Sequence, residues 1–314
     1  MIRGFATNRL LLTVDGVRMN TAIFRGGNLQ NVISLDPFAT ENTEIFFGPG
    51  SVIYGSDAIG GVMSFTTLTP HLSLTDETLT KGSAATRFSS ANSEKTAHLD
   101  FNVGWKKWSS VTSFSYNDYG DLRMGTKGPD DYLRPFYVQR IDSVDRVVTN
   151  ENPLVQRPSG YQQTNMMQKL RFVPNKRWDF VYAFHYSETS DYARYDRHIR
   201  YKNGLPRYGE WSYGPQKWMM NNLTTSYTTN TGLFDQVTLR LAHQFFEESR
   251  IDRDINGSTR AIRIEKVNAY SANLDFSKSL TIGQKLYYGL EMIYDKVDSE
   301  GIDEDISTGE KVAG

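Results

Sequence analysis

The sequence predicts an all-β fold: about nine antiparallel strands of an incomplete transmembrane β-barrel, preceded by a compact α/β region. Three observations predict it. From about residue 82 onward, apolar and polar residues alternate along a series of long runs, the period of a strand with two unlike faces. The connections between these runs alternate between short and long, as in barrels with short turns at one rim and long loops at the other. Before about residue 70 the alternation is missing, and glycines and turn dipeptides crowd the chain.

Composition narrows the class. The chain has 314 residues, a formal net charge of −1 and no cysteine. Near-neutral charge argues against nucleic-acid binding, and the lack of cysteine removes disulfides and thiolate metal sites. Mean hydropathy is −0.51. No run approaches the roughly 18 apolar residues of a membrane helix, but strands can cross a bilayer in a chain of polar average, because only alternate residues face lipid. Aromatics make up 13 %, with 18 Tyr and 17 Phe, which suits aromatic girdles at a membrane interface. The first residues, MIRGFATNRLLLTVDG, hold a short apolar run without a small-residue cleavage site. An exported protein is thus expected to carry further sequence before Met1.

In the first eighty residues, Leu10 to Val14 reads as a short strand ending at the turn dipeptide Asp15-Gly16. A strand at Thr43 to Phe47 runs into Gly48-Pro49-Gly50. Ser51 to Tyr54, Gly55, Ala58 and Gly60-Gly61 follow, then a strand at Val62 to Thr67. The glycine spacing fits neither a GxxxxGK[ST] phosphate loop nor a GxGxxG turn, and no Lys follows it.

The runs IRGF, LLLTVDGVRMN and ENTEIFFGPGSVIYGSDAIGGVMSFTT resemble the plug domain of TonB-dependent outer-membrane receptors. The resemblance rests on Arg3, Gly4, Asp15, Gly16, Glu44, Gly48, Pro49, Ser51, Tyr54, Gly55, Ala58, Gly60, Gly61, Val62 and Thr66, in order and spacing. It implies that residues 1–70 are the C-terminal half of an α/β plug and residues 71–314 the first part of a β-barrel. The family usually has Arg before the Gly-Pro; Phe47 stands here, which puts part of the usual plug-to-barrel contact in doubt. Gly48-Pro49-Gly50-Ser51 resembles the branch importing siderophores and haem more than the glycan-importing branch. YGPQKW resembles a stretch common in Bacteroidetes-type receptors.

The strands are expected at 82–91, 95–105, 108–118, 164–173, 177–190, 216–229, 234–250, 263–277 and 285–298. In KTAHLDFNVGW, Ala97, Leu99, Phe101, Val103 and Trp105 share a face, opposite His98, Asp100 and Asn102. WDFVYAFHYSE puts Trp178, Phe180, Tyr182, Phe184 and Tyr186 on one face. Connections at 106–107, 174–176, 230–233 and 278–284 are short; those at 119–163, 191–215 and 251–262 are long, and the first hairpin, with a tight turn near Asn92-Ser93, is the exception. The resemblance implies a barrel of about 22 strands, which about nine cannot close, so the chain is expected not to fold by itself, its two outermost strands leaving unpaired edges.

No catalytic constellation recurs at workable spacing. His71, His98, His185, His198 and His243 lie in no metal-ligand motif. Of these, His98 and His185 fall on the face that would line the interior. The long connection YARYDRHIRYKNGLPRYGEWSYGPQKW is dense in Tyr, Arg and Trp. Its Tyr195, His198, Tyr201, Tyr208, Trp211 and Tyr213 either bind ligand or pave the membrane interface and pack loop on loop. The segment after Asp15-Gly16 holds Arg18, Arg25, Asn28 and Gln30, plausible polar ligand contacts or solvated loop residues. Asp118, Asp121, Asp130 and Asp131 offer oxygens for Ca²⁺ or form a solvated acidic loop, the reading favoured because their spacing is not that of an EF-hand.

The resemblance implies TonB-dependent active uptake of a scarce ligand, a ferric siderophore or haem, across the bacterial outer membrane. The implied partners are TonB with its inner-membrane energising complex, and outer-membrane lipid or lipopolysaccharide; no resident cofactor or metal and no nucleic acid is implied. The alternatives are uptake of cobalamin or another metal chelate, a passive porin, or a surface binding receptor. A porin needs no glycine-rich plug, and an enzyme is the least expected class.

Overall fold

The computed structural model describes residues 10–19, 22, 31–47 and 58–314. The first strands are β1 (Leu10–Val14), β2 (Val17–Arg18), β3 (Thr40–Phe47) and β4 (Gly61–Thr67), which form a small mixed sheet in the order β2-β1-β4-β3. β1 runs parallel to β4, Leu10 opposite Gly61 and Val14 opposite Phe65. All five of its residues are buried, as expected of the unbroken run LLLTV with a covered face on each side. Asp15 and Gly16 close the β1–β2 hairpin with φ of 51° and 78°. Two positive φ values suit a two-residue hairpin turn and explain the Asp-Gly pair.

The second sheet is long and meandering. It begins with β5 (Leu79–Ser89), β6 (Glu94–Gly104) and β7 (Trp108–Tyr119). A long loop follows, with β8 (Leu122–Arg123), the hairpin β9 (Phe136–Ile141) and β10 (Val144–Thr149), and β11 (Val155–Gln156). Next come β12 (Tyr161–Asn175) and β13 (Trp178–Thr189). The next loop carries β14 (Tyr192–Ala193), α1 (Tyr195–His198), β15 (Tyr201–Lys202), β16 (Leu205–Pro206) and β17 (Tyr208–Tyr213). The sheet continues through β18 (Lys217–Thr228), β19 (Gln236–Asp254), β20 (Thr259–Thr281), β21 (Gln284–Asp305) and β22 (Lys311–Ala313). Its order β22-β21-β20-β19-β18-β13-β12-β7-β6-β5 is sequential, every pairing is antiparallel, and β5 and β22 are its edges among the described residues.

This long sheet is inside out. Its concave face buries polar side chains: Thr96, His98, Ser113, Ser115, Asn117, Asn165, Lys169, His185 and Ser187. Its convex face exposes apolar ones, with Leu99 59 %, Trp108 52 % and Phe114 48 % exposed. A water-soluble sheet would reverse this; a barrel in lipid requires it. The small sheet lies against the concave face, where Val14, Val17, Met19 and Phe65 pack on Trp218, Met220, Ala242, Phe246 and Val267. Ala39 meets Val111 and Met167 in a second contact.

Two expectations are corrected. Among the described residues ten strands run in sequence rather than nine, the tenth being the three-residue β22. The long connection at 251–262 is instead a tight turn at 255–258, because β19 and β20 extend to 19 and 23 residues. A bilayer needs only about 9–11 residues per strand. The extension is held by ion pairs, Arg250 with Glu265 at 2.9 Å and Arg263 with Asp303 at 3.0 Å. Such a charged ladder lacks the apolar alternation that marks a strand in sequence.

Candidate functional site: a plug-like seam and a loop cluster

The turn residue Asp15 is the centre of the seam between the two sheets. Its Oδ1 accepts from the Thr67 N–H at 2.9 Å and its Oδ2 from the Thr67 hydroxyl at 2.8 Å. From the concave face, Lys169 Nζ lies 3.0 Å and His185 Nε2 3.3 Å from Oδ2. Lys169 also donates to the Thr67 carbonyl at 3.1 Å. Both wall residues are 5 % exposed. A buried charge is tolerable only when paired and hydrogen-bonded, and here every partner comes from β4 or the facing wall. Burial pushes the Asp15 carboxyl up, but the His185 contact, the Lys169 charge and the Thr67 N–H outweigh it. They hold the group well below the usual carboxylate range.

Gly16 lets the wall come close. A Cβ there would stand 2.6 Å from Arg240 Nε, and the residue's positive φ already disfavours any other side chain.

A second line crosses the seam at Asp36. Ser115 Oγ donates to Asp36 Oδ2 at 2.7 Å, His98 Nδ1 lies 2.7 Å from the same hydroxyl, and His98 Nε2 lies 3.1 Å from Asp100 Oδ2. Phe38 stacks on the His98 ring at 4.9 Å. The order Asp-His-Ser resembles a nucleophile relay. Ser115 has no exposed surface and its hydroxyl donates a hydrogen bond to Asp36, so the line joins two sheets rather than presenting a nucleophile.

The sequence-predicted positions divide between seam, surface and undescribed chain. Arg18 pairs with Glu291 of β21 at 3.0 Å, and its carbonyl accepts from Gln244 at 2.8 Å. Glu44 is exposed on β3, whereas Ala58, Gly60 and Gly61 are buried beside β1. Arg3, Gly4, Arg25, Asn28, Gln30, Gly48, Pro49, Ser51, Tyr54 and Gly55 lie outside the described residues.

At the long-loop rim, Tyr208, Trp211 and Tyr213 form a buried aromatic cluster with Tyr192 packed against it. Arg194 donates to the Tyr213 hydroxyl at 2.9 Å and lies 5.2 Å from the Trp211 ring centre; Arg197 lies 5.6 Å from the same ring. His198 Nε2 is 2.9 Å from the Trp211 carbonyl, which can only accept, so this nitrogen donates and Nδ1 carries the lone pair. Burial is the main cause that lowers the His198 pKa. His198 Nδ1, Tyr195 Oη and Arg197 Nε are buried without a hydrogen-bond partner among the described residues. Tyr201, 62 % exposed, stands outside the cluster.

Sequence reasoning missed Asp145. It sits in the β9–β10 hairpin with a fully buried side chain, gripped by Arg253 from the tip of β19 through two bonds of 2.6 and 2.9 Å. Its Oδ2 also accepts from the Asn256 N–H at 2.6 Å, while the Asn256 side chain accepts from the Asp145 N–H at 2.9 Å. The Arg253 bonds hold its carboxyl down to about 2, against the opposing effect of burial, with help from Asn256. One acidic residue in a charged loop gives no sequence signal. By contrast, the predicted acidic stretch is dispersed: Asp121 accepts from the Ser159 and Gly160 N–H groups at 2.7 and 3.0 Å. No group of three or more His, Asp or Glu could hold a metal ion among the described residues.

A family model described as "TonB-dependent Receptor Plug Domain" matches residues 1–62. Over 66 residues the chain is 47 % identical to a vitamin B12 transporter BtuB of Vibrio vulnificus, covering 21 % of this chain and 10 % of that protein. Over 138 residues it is 30 % identical to a hemin receptor of Yersinia enterocolitica, covering 41 % of this chain and 19 % of that one. Among solved structures, the copper transporter OprC aligns over 98 % of this chain and 41 % of its own, with a TM-score of 0.69 and 12 % identity. The ferric citrate transporter FecA aligns over 98 % and 42 %, with a TM-score of 0.59 and 14 % identity. The chain thus matches a tenth to a fifth of these curated relatives and about two fifths of these solved chains. At such identities the structural likeness speaks for the fold.

Proposed function

We propose that the chain is part of a TonB-dependent receptor of the bacterial outer membrane, and that the whole protein takes up a scarce ligand, a ferric siderophore or haem, by TonB-driven movement of its plug. In this reading residues 1–70 act as the C-terminal half of the plug and residues 71–314 as barrel wall. The observation that carries the reading is the small sheet seated on the polar concave face and held there through Asp15, Lys169 and His185. A wall with nothing to hold has no use for a buried lysine and a buried histidine aimed at one turn.

At the other rim, Arg194 and Arg197 around Trp211 support an anionic ligand with flat apolar surface. The lone pair of His198 Nδ1 and the Tyr195 hydroxyl also suit a haem iron, given a loop movement that uncovers them. Cobalamin or another metal chelate is the second reading, favoured by the BtuB likeness over the plug-matching segment.

The test is growth of a deletion strain under iron limitation, on one iron source at a time, with the full-length gene restored and with TonB present or absent. Restored growth that needs TonB, on haem or on one siderophore, is the expected result. Equal growth of all strains on every iron source would refute iron uptake and leave cobalamin or another chelate to be tried.

A further inference from the structure

The short-turn rim of the wall carries its charges unevenly. Trp108 and Phe172 stack on the convex face at a ring distance of 4.1 Å; Phe180 lies 6.2 Å beyond Phe172, Trp178 is 5.5 Å from Phe180, and Tyr227 is 4.5 Å from Trp178. Immediately below this aromatic row lie two adjacent turns, β6–β7 with Lys106 and Lys107, and β12–β13 with Lys176 and Arg177. The Val173 N–H donates to the Lys107 carbonyl at 2.8 Å and the Thr228 N–H to the Arg177 carbonyl at 2.8 Å, so both turns are tied to their neighbouring strands. All four cations are exposed.

Several other cations of this rim are taken up. Lys278 pairs with Asp235 at 2.6 Å, Arg171 pairs with Asp179 at 2.6 Å, and Lys285 lies over the Tyr287 ring. Lys106 pairs with Asp76. Lys107, Lys176 and Arg177 have no carboxylate partner among the described residues. Three unneutralised cations on backbone-anchored turns, directly under a stacked aromatic platform, match a lipid of one kind: acyl chains against the rings and a negative headgroup at the turns.

We propose that this corner is a binding site for an anionic glycerophospholipid of the periplasmic leaflet, its phosphate held by Lys107, Lys176 and Arg177 and its chains lying on Trp108, Phe172 and Phe180. Short turns face the periplasm in outer-membrane barrels, which sets the leaflet. Lipopolysaccharide, the other phosphate-bearing lipid of this membrane, would meet the opposite rim. The site rests on the membrane placement of the wall and is independent of the ligand carried, so its failure would leave the uptake reading untouched.

The experiment is native mass spectrometry of the full-length receptor released from detergent, after incubation with equimolar phosphatidylglycerol and phosphatidylethanolamine. The expected result is preferential retention of phosphatidylglycerol, reduced about tenfold or more in the triple variant Lys107→Gln, Lys176→Gln, Arg177→Gln, at the scale expected for several basic side chains near a headgroup. The charge-keeping variant Lys107→Arg, Lys176→Arg, Arg177→Lys should retain it, and Lys285→Gln should change nothing. Heat-modifiable gel mobility checks that each variant is folded. Equal retention of the two lipids, an unaltered preference in the glutamine variant, or loss of co-purified lipopolysaccharide instead would overturn the proposal.

Discussion

Asp15 meets two demands with one side chain. Its backbone takes the positive φ that the β1–β2 turn requires, which Asp tolerates better than most residues, and its carboxylate collects Thr67, Lys169 and His185. Asp15→Asn keeps the turn but leaves Lys169 as a buried, uncompensated cation. Breaking one side of such a pair costs about 3 kcal/mol or more. The expected outcome is a clear fall in the melting temperature of the full-length protein in detergent, with Asp15→Glu intermediate. An unchanged midpoint in Asp15→Asn would mean the plug-to-wall contact does not depend on this carboxylate. At the loop cluster, Arg194→Ala with Arg197→Ala is expected to weaken ligand binding at least tenfold, the scale of two charge-assisted contacts, while leaving the melting temperature nearly unchanged. Titration of the purified receptor with the ligand that supports growth measures it; equal affinity in the double variant would remove the arginines from the site.

Among elements, the β9–β10 hairpin depends most on a single group. Asp145 carries its charge in the folded protein down to a pKa of about 2, below the ordinary value of 3.8. A depressed carboxylate stabilises the docked hairpin fully above about pH 4, and that contribution is lost as pH falls through the window toward 2. Hydrogen exchange of residues 136–149 is therefore expected to quicken as pH drops from 4 to 2, beyond the intrinsic change of exchange with pH. Asp145→Asn should show fast exchange already at pH 7, with no such extra step. A hairpin equally protected in wild type and variant would show that other loop contacts hold it. The long strands β19, β20 and β21 teach a related lesson. Their membrane-crossing parts, such as Val237, Leu239 and Leu241 of β19, were plain in the alternation. Their outer parts were hidden because Arg250, Glu265, Arg263 and Asp303 pair by charge across strands and show no period along them.

On the scale of the whole molecule, the open sheet dictates behaviour. β5 and β22 are edges in a wall whose convex face is apolar, and unpaired backbone groups are not tolerated in hydrocarbon. The 314 residues refolded by themselves into detergent are expected to give no heat-modifiable band, whereas the full-length receptor gives one. A compact, heat-modifiable species from these residues alone would mean that the edges close on each other or on a second copy.

Strand periodicity, the polar concave face, the short turns of one rim and the plug-like glycine pattern were all legible in the amino-acid sequence. These are local signals, set by which face of each strand meets lipid and which backbone positions need positive φ. It also put His98 and His185 on the interior face. Tertiary structure alone decided what they meet there. Asp15 and Lys169 are far apart in the chain and in unrelated motifs, as are Asp36 and Ser115, and Asp145 and Arg253. Each pair is made by register between distant strands or by the seating of one sheet on another. Polar contacts at such separations leave no periodic trace in a sequence, because only the folded geometry supplies the short distance that makes the interaction strong.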